Sequence, residues 1–351
     1  MRLRSLAVQN VRIHQALSVD FSPGVTVITG SNGSGKTSLL EAVHVAMRGS
    51  SFKGSDTDML RQDAPWWRID AKTIEDDIRT ITFDPTRPSG RKRFLVDAKK
   101  QYRLSEKYKY PVVLFEPDDL RLLHGSPTRR RQFIDRFITQ LDPLYGVSIR
   151  RYDRALKQRN NLLKQAAITS DELFVWDVAL SEYGAYIIMK RQEFIDTLNQ
   201  RLTAVYGSIA KTTDTVRMHY SLDTEISKQR LLNELHARSE RDRLLGYTSI
   251  GPHRHDVLFD FNGTPALSVA SRGEVRSVVL ALKFLEVDTI EQITGKKPLI
   301  LLDDVFSELD EHRQAALLTS RSDTQVIVTS TNFPDTLQDA PDVRQVLLAK
   351  D

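Results

Sequence analysis

The chain has 351 residues, no cysteine and a formal net charge of +4. Without cysteine it has no disulfide framework, no thiolate metal site and no cysteine nucleophile, and no stretch reaches the ~18 uninterrupted apolar residues of a membrane span. The total charge names no partner, but its distribution is uneven: residues 121–164 carry 11 Lys/Arg against 3 Asp and no Glu, as on a polyanion-binding face or a solvated helical surface.

In chain order, Met1–Val8 is short and alternating, so it reads as a strand and not as a signal peptide, and a cytoplasmic chain is expected. Val25–Thr29 is β-branched and apolar, a buried strand. It runs into Gly30-Ser31-Asn32-Gly33-Ser34-Gly35-Lys36-Thr37, a full G-x-x-x-x-G-K-[ST] loop, and then into a helix over Ser38–Ala46. A strand feeding a helix through such a loop turns backbone N–H groups toward phosphates at the positive end of the helix dipole. ATP is the expected ligand. Lys36 would reach the β/γ-phosphates, Thr37 would ligate Mg²⁺, and Gly30 to Ser38 form the cradle. Ile78–Phe83, Arg93–Val96 and Val112–Phe115 follow as strands separated by turn signals at Asp84-Pro85 and Pro88-Ser89-Gly90.

Residues 116–245 change to helical periodicity. Trp176, Leu180, Tyr183, Ile187, Phe194, Leu198, Leu202 and Val205 form one apolar stripe, and Ile149, Tyr152, Leu156 and Leu163 suggest another. These aromatics read as core and helix-pair residues. Within the basic stretch, Arg129, Arg130 and Arg131 open a helix but spread over different faces, so some are expected to pair with Asp135 or with acidic groups of the ATP lobe. Arg151 and Arg154 share a face of the next helix, which also carries Arg150, Lys157 and Arg159. The candidate DNA contacts are therefore Arg151, Arg154, Arg129 and Arg130, on duplex phosphates. The alternative face is near Lys99, Lys100 and Arg103.

The α/β pattern returns after Leu245. A helix over Glu274–Gln292 leads to the apolar strand Leu299–Leu302, a second helix over Asp310–Thr319 and a last strand over Gln325–Thr329. Asp303-Asp304 ends the first of these strands. Asp303 is placed to hold Mg²⁺, and Asp304 to position or deprotonate the attacking water. The expected division is residues 1–115, the N-terminal part of an ATPase lobe; 116–245, a helical basic lobe; and 246–351, the C-terminal part of the ATPase lobe.

Three further pieces resemble ABC-type ATPases. Ser307-Glu308-Leu309-Asp310 stands at the D-loop spacing, and Ala270-Ser271-Arg272-Gly273-Glu274 resembles the signature, usually Ser-Gly-Gly-Gln. Thr329-Ser330-Thr331 occupies the place where transporters carry a switch histidine, and no histidine is there. Lys36 and Ser271 are 235 positions apart, more than a transporter ATPase needs and far less than a long coiled coil would add. The class is thus α/β, an ABC-type P-loop ATPase head with a β-rich N-terminal part and an inserted helical lobe.

With Asn10-Val11-Arg12-Ile13-His14, Gly49-Ser50-Ser51-Phe52-Lys53, Glu116-Pro117-Asp118-Asp119-Leu120, Gly125-Ser126-Pro127 and Gly251-Pro252-His253-Arg254 in this order, the chain resembles, nearly end to end, the RecF family of SMC-like ABC ATPases. Glu274 departs from the family's Gln, and His255 from its small or acidic residue before Asp256. The resemblance implies a protein of DNA replication and repair: an ATP-dependent homodimer that binds double-stranded and gapped DNA at single-strand/double-strand junctions. It would work with RecR and RecO to assist RecA loading, hydrolysing ATP slowly as a release switch. It implies that Ser271, Arg272 and Gly273 cap the γ-phosphate held by a partner copy, and that Arg12 contacts phosphate in cis. A transporter ATPase subunit and a monomeric P-loop kinase are the competing classes.

Overall fold

The computed structural model describes residues 2–165, 169–222, 227–314, 324–338 and 342–349. From the N-terminus the elements are β1 (Leu3–Val11), β2 (His14–Asp20), β3 (Val25–Thr29), α1 (Lys36–Arg48), β4 (Trp67–Thr73), β5 (Ile78–Phe83), β6 (Lys92–Val96), β7 (Lys99–Gln101) and β8 (Val112–Phe115). A mainly helical stretch follows, with α2 (Pro127–Leu141), α3 (Pro143–Leu162), α4 (Ser170–Ala210), β9 (Val216–Tyr220), α5 (Lys228–Ala237) and α6 (Ser239–Leu245). Then come β10 (Val257–Phe261), β11 (Thr264–Pro265), α7 (Ala266–Val269), α8 (Arg272–Thr294), β12 (Leu299–Leu302), β13 (Val326–Ser330) and β14 (Val343–Leu347).

The chain divides into two compact units, residues 1–119 with 287–351, and residues 120–286. In the first unit, a parallel sheet runs in the order β14-β3-β13-β12-β8 and an antiparallel sheet in the order β2-β1-β4-β5-β6-β7. Helix α1 packs into one core with both. Its Leu39, Leu40, Val43, Ala46 and Met47 share the cluster with Leu6, Trp67, Ile69 and Ile81 of one sheet and Ile28, Leu301 and Ile327 of the other. The central strands β12 and β13 are buried on every residue, as a doubly covered parallel sheet requires. Gln325 ties the sheets together: its amide accepts from Leu3 N at 2.7 Å and donates to Leu3 O and Ser22 O, each at 2.7 Å.

In the second unit, caps fix the helix starts. Ser126 with Pro127 opens α2, Asp142 with Pro143 opens α3, and a Thr169/Glu172 capping box opens α4. The buried face of α4 includes Leu180, Ile187, Phe194, Leu198 and Leu202 from the expected stripe, whereas Trp176, Tyr183 and Val205 are half-buried. The same face also buries polar groups. Arg159 of α3 is fully buried, donating to Asp177 at 2.5 Å, Asp242 at 2.7 Å and Thr248 Oγ1 at 2.9 Å. Arg191 of α4 makes a bidentate pair with Asp135 at 2.9 and 2.8 Å and donates to Pro252 O at 2.7 Å.

Residues 246–286 group with the helical unit, not with the C-terminal part of the ATPase lobe where the sequence boundary at 245/246 placed them. The reason is strand pairing: β10 is hydrogen-bonded antiparallel to β9 and to β11. Of the helix expected over Asp310–Thr319, residues 311–314 are helical, and 315–319 lie outside the described residues.

Candidate functional site

The phosphate loop leaves the carboxyl end of β3 and ends in α1, capped by Gly35 at φ 87°. Gly33 is also left-handed, at φ 82°, and a Cβ there would meet nothing within 4 Å. A Cβ on Gly35 would lie 2.3 Å from His14 Nε2. That imidazole nitrogen sits 3.1 Å from Gly35 O and donates to it, so the β1–β2 turn braces the loop. Lys36 is buried and folds over the loop, donating to Gly30 O at 2.9 Å and Ser31 O at 3.3 Å. Ser34 Oγ is buried without a hydrogen-bond partner. An orphaned hydroxyl beside a buried ammonium and left-handed glycines is what phosphate oxygens would satisfy.

Thr37 and Asp303 meet across the sheet: Thr37 Oγ1 donates to Asp303 Oδ1 at 2.8 Å. Thr329 at the end of β13 completes the arrangement. Its hydroxyl is 3.0 Å from Asp303 Oδ1 and accepts Asp304 N–H at 2.9 Å. Asp304 has φ 51°, an uncommon conformation for a non-glycine residue. Burial pushes the Asp303 carboxyl up, against the pull of the two threonine hydroxyls. A threonine hydroxyl and one carboxylate form the sparse donor set that suits Mg²⁺, whose remaining positions go to phosphate oxygens and water. Among the described residues, no group of three or more His, Cys, Asp or Glu could hold a metal.

Arg12 has φ 54° and forms a bidentate pair with the buried Glu41, Nε and Nη2 each 2.9 Å from a carboxylate oxygen. Ser51 also donates to Glu41. Arg12 shares a cavity of about 400 Å³ with Thr37, Ser38, Lys53 and Asp58. Its guanidinium thus borders the magnesium-ligand side of the loop, with one edge committed to Glu41.

At the start of α8, Ser271 N donates to Glu274 Oε2 at 2.6 Å, and Glu274 N donates to Ser271 Oγ at 3.3 Å. This is a capping box, which either this glutamate or the family's glutamine can complete. Ser271 and Arg272 are exposed and Gly273 is half-buried, so the helix end is open to an anion. In the D-loop, Leu309 is buried, and Asp310 accepts Arg313 N–H at 2.9 Å to cap the helix at 311–314.

The structure sorts the arginines by burial. Arg130, expected on DNA phosphates, is 5% exposed; it forms a bidentate pair with Asp256 at 2.8 and 2.7 Å and donates to Leu123 O and Gly125 O. It is a structural cation and is withdrawn as a DNA contact, because moving it would strand the half-buried Asp256 carboxylate and unmake a nearly buried guanidinium's bonds. Arg159 of the same helix as Arg151 and Arg154 is also a structural cation, fully buried on Asp177 and Asp242. Arg131 is half-buried and donates to His255 O, and Asp135 forms its bidentate pair with Arg191. Arg129 is half-exposed. Arg150, Arg151, Arg154 and Lys157 are exposed along α3. Arg151 lies over the Tyr183 ring, 5.6 Å from its centroid, and donates to Tyr183 OH at 3.2 Å. Sequence reasoning missed His14, Glu41, Ser51 and Thr329. His14, Ser51 and Thr329 stood in quoted motifs without being given these roles, and nothing local marks Glu41.

A family model for an AAA domain matches residues 5–244. The chain is 34% identical over 340 residues to the DNA replication and repair protein RecF of Lachnoclostridium phytofermentans, spanning 95% of this chain and 94% of that protein. It is 35% identical over 342 residues to the RecF of Agathobacter rectalis, spanning 95% and 93%. Among solved structures, the recombination mediator protein RecF with ATPrS superposes with a TM-score of 0.86 at 26% identity, over 99% of this chain and 96% of that one. An SMC head bound to the C-terminal winged-helix domain of ScpA shares the fold, with a TM-score of 0.54 at 16% identity over 100% and 95%. With near-complete coverage by relatives above 30% identity, a shared ABC-type ATPase fold and the paired Thr37–Asp303 geometry, the chain belongs to the RecF family of DNA replication and repair proteins.

Proposed function

We propose that this chain is an ATP-gated DNA-binding dimer of the cytoplasm that hydrolyses ATP slowly and uses it as a switch. The observation that carries the reading is the Thr37–Asp303–Thr329 cluster beside a phosphate loop whose Ser34 hydroxyl is buried and unpartnered. Lys36 binds the β/γ-phosphates, with Gly30, Ser31, Asn32, Gly33, Ser34, Gly35, Thr37 and Ser38 as the cradle. Thr37 and Asp303 hold Mg²⁺, which supplies positive charge to the phosphate oxygens when bound. Asp304 orients the attacking water and accepts its proton. Its carboxylate is one methylene shorter than the glutamate most ABC ATPases use, which sets it back from the water; poor base geometry costs about 10²–10⁴-fold. Arg12 offers its remaining edge to phosphate.

The capped, exposed start of α8 supports dimerisation in trans. Ser271 keeps its hydroxyl proton to donate, and with Arg272 and Gly273 it caps the γ-phosphate held by Lys36 of the other copy. Arg151 and Arg154, with Arg129 as an outlying contact, hold duplex phosphates. Solved relatives named as the recombination mediator protein RecF in the RecFOR pathway support action with RecR and RecO; binding at gapped DNA and assistance to RecA loading rest on the family resemblance. The deciding experiment is the solution mass of Asp304→Asn with ATP, with and without gapped duplex DNA, alongside wild-type ATPase rates. A DNA-stimulated dimer supports the reading. A variant that stays monomeric with both ligands overturns it in favour of a monomeric P-loop enzyme.

A further inference from the structure

At the end of the parallel sheet opposite the phosphate loop, the first unit has a second cavity of about 440 Å³. It opens where β8 and β12 begin and just before β13, so a strand's length, about 15 Å, separates it from the nucleotide loop. Its volume falls in the range of small-molecule sites, about 300–1,000 Å³.

The lining is strongly one-sided in charge. Six cations, Arg2, Arg79, Lys107, Lys109, Lys296 and Lys297, face two carboxylates, Asp77 and Asp97. Lys109 is paired with Glu106 at 2.6 Å, so five cations against Asp77 and Asp97 leave the wall a formal charge of +3. It is also a built wall. Arg79 is 6% exposed and is held by Tyr108 O at 2.8 Å and Ala46 O at 3.3 Å. Tyr110 OH donates to Lys297 O at 2.5 Å, pinning the Gly295–Pro298 turn against the entry to β8. Lys107 lies over the Tyr108 ring at 4.5 Å. An anion entering this cavity would meet an excess of positive charge.

We propose that this cavity is a second anion site, separate from the ATP site, that takes a compact phosphorylated ligand of nucleotide size or smaller. Charge-assisted bonds from lysine and arginine to phosphate oxygens are the strongest contacts such a wall can make. A duplex is too wide to enter it.

The test is calorimetric titration of inorganic pyrophosphate into protein whose phosphate loop is already saturated with a slowly hydrolysed ATP analogue and Mg²⁺. One further binding event per chain is expected. It should weaken at least about tenfold in Lys296→Glu/Lys297→Glu, while affinity for the ATP analogue and the thermal midpoint stay unchanged. Should charge reversal unfold the protein, Lys107→Gln/Lys296→Gln removes charge without reversing it and should weaken binding in the same direction. No second event, or one that is equal in wild type and folded variants, overturns the site. Loss of duplex binding in the variants without any pyrophosphate binding also overturns it, and makes the rim a nucleic-acid surface.

Discussion

Thr329 shows how much one hydroxyl can hold in a dry site. It meets the Asp303 carboxylate and accepts the backbone N–H of Asp304, and it is fully buried. Thr329→Val keeps the shape but leaves that N–H unsatisfied and Asp303 held by Thr37 alone. The expected result is a 10- to 100-fold slower single-turnover hydrolysis, with ATP affinity changed by less than about tenfold, read by rapid quench and by equilibrium titration. Lys36→Ala goes further. It deletes the cation that neutralises the phosphates, so ATP-dependent DNA binding should be lost; a variant that retains ATP and gapped DNA as wild type does would refute the assignment of the loop.

In the helical unit, polar residues hold the elements together. The segment Gly251–Asp256 bonds to several of them, through Pro252 O to Arg191, His253 to Tyr152, His255 to Tyr220 and Asp256 to Arg130. Gly251 has φ 118°, and a Cβ there would lie 2.4 Å from Tyr152 OH, so Gly251→Ala should cost about 2 kcal/mol or more. His253 Nε2 sits 3.1 Å from Thr248 O and must donate to it, which leaves Nδ1 to accept from Tyr152 OH at 2.7 Å. His255 Nδ1 pairs with Tyr220 OH at 2.9 Å. Burial pushes both imidazoles down from the ordinary 6.5 to about 4. Between those values the unfolded chain takes up protons that the folded chain does not, so stability falls as pH falls through that window. At pH 5 the loss relative to pH 7 is at most about 2 kcal/mol per ring, reduced by residual solvent. Denaturant midpoints at the two pH values should show a smaller drop for His253→Gln/His255→Gln than for wild type. An equal drop would assign the acid sensitivity to carboxylates alone.

For the whole molecule, two predictions separate nucleotide from DNA. Ser271→Arg fills the anion-receiving end of α8, so it should bind ATP normally and remain monomeric by light scattering; an ATP-induced dimer of this variant would refute capping in trans. Arg151→Glu/Arg154→Glu should leave ATP affinity unchanged and weaken duplex binding. It should also flatten the dependence of log K on log salt by about one unit per lost phosphate contact. Arg130→Glu is expected to behave differently: it should destabilise the helical unit by about 3 kcal/mol or more, because Asp256 would be left without its partner. An unaltered salt slope in the Arg151/Arg154 variant would move the DNA face to the β7 edge, where Lys99, Lys100 and Arg103 are exposed.

The ABC-type α/β head was legible from sequence because its signals are local. A strand–glycine loop–helix needs only neighbouring residues, and the strands at Val25–Thr29, Ile78–Phe83, Val112–Phe115 and Leu299–Leu302 appear at the bounds their apolar runs set. Ser126-Pro127, Asp142-Pro143 and Ser271 likewise start helices through side chains that reach two or three residues ahead. What the tertiary structure decided depends on partners far along the chain. Arg129, Arg130 and Arg131 are identical in sequence terms, yet it is the middle one that forms a bidentate pair with Asp256, 126 positions away. Thr329 lies 26 positions from Asp303, and Arg12 lies 29 from Glu41. Residues 246–286 join the helical unit because β10 finds β9. A charge in sequence is a surface charge by default; burial beside an opposite charge turns it into a structural pin, and that juxtaposition exists only once the chain has closed on itself.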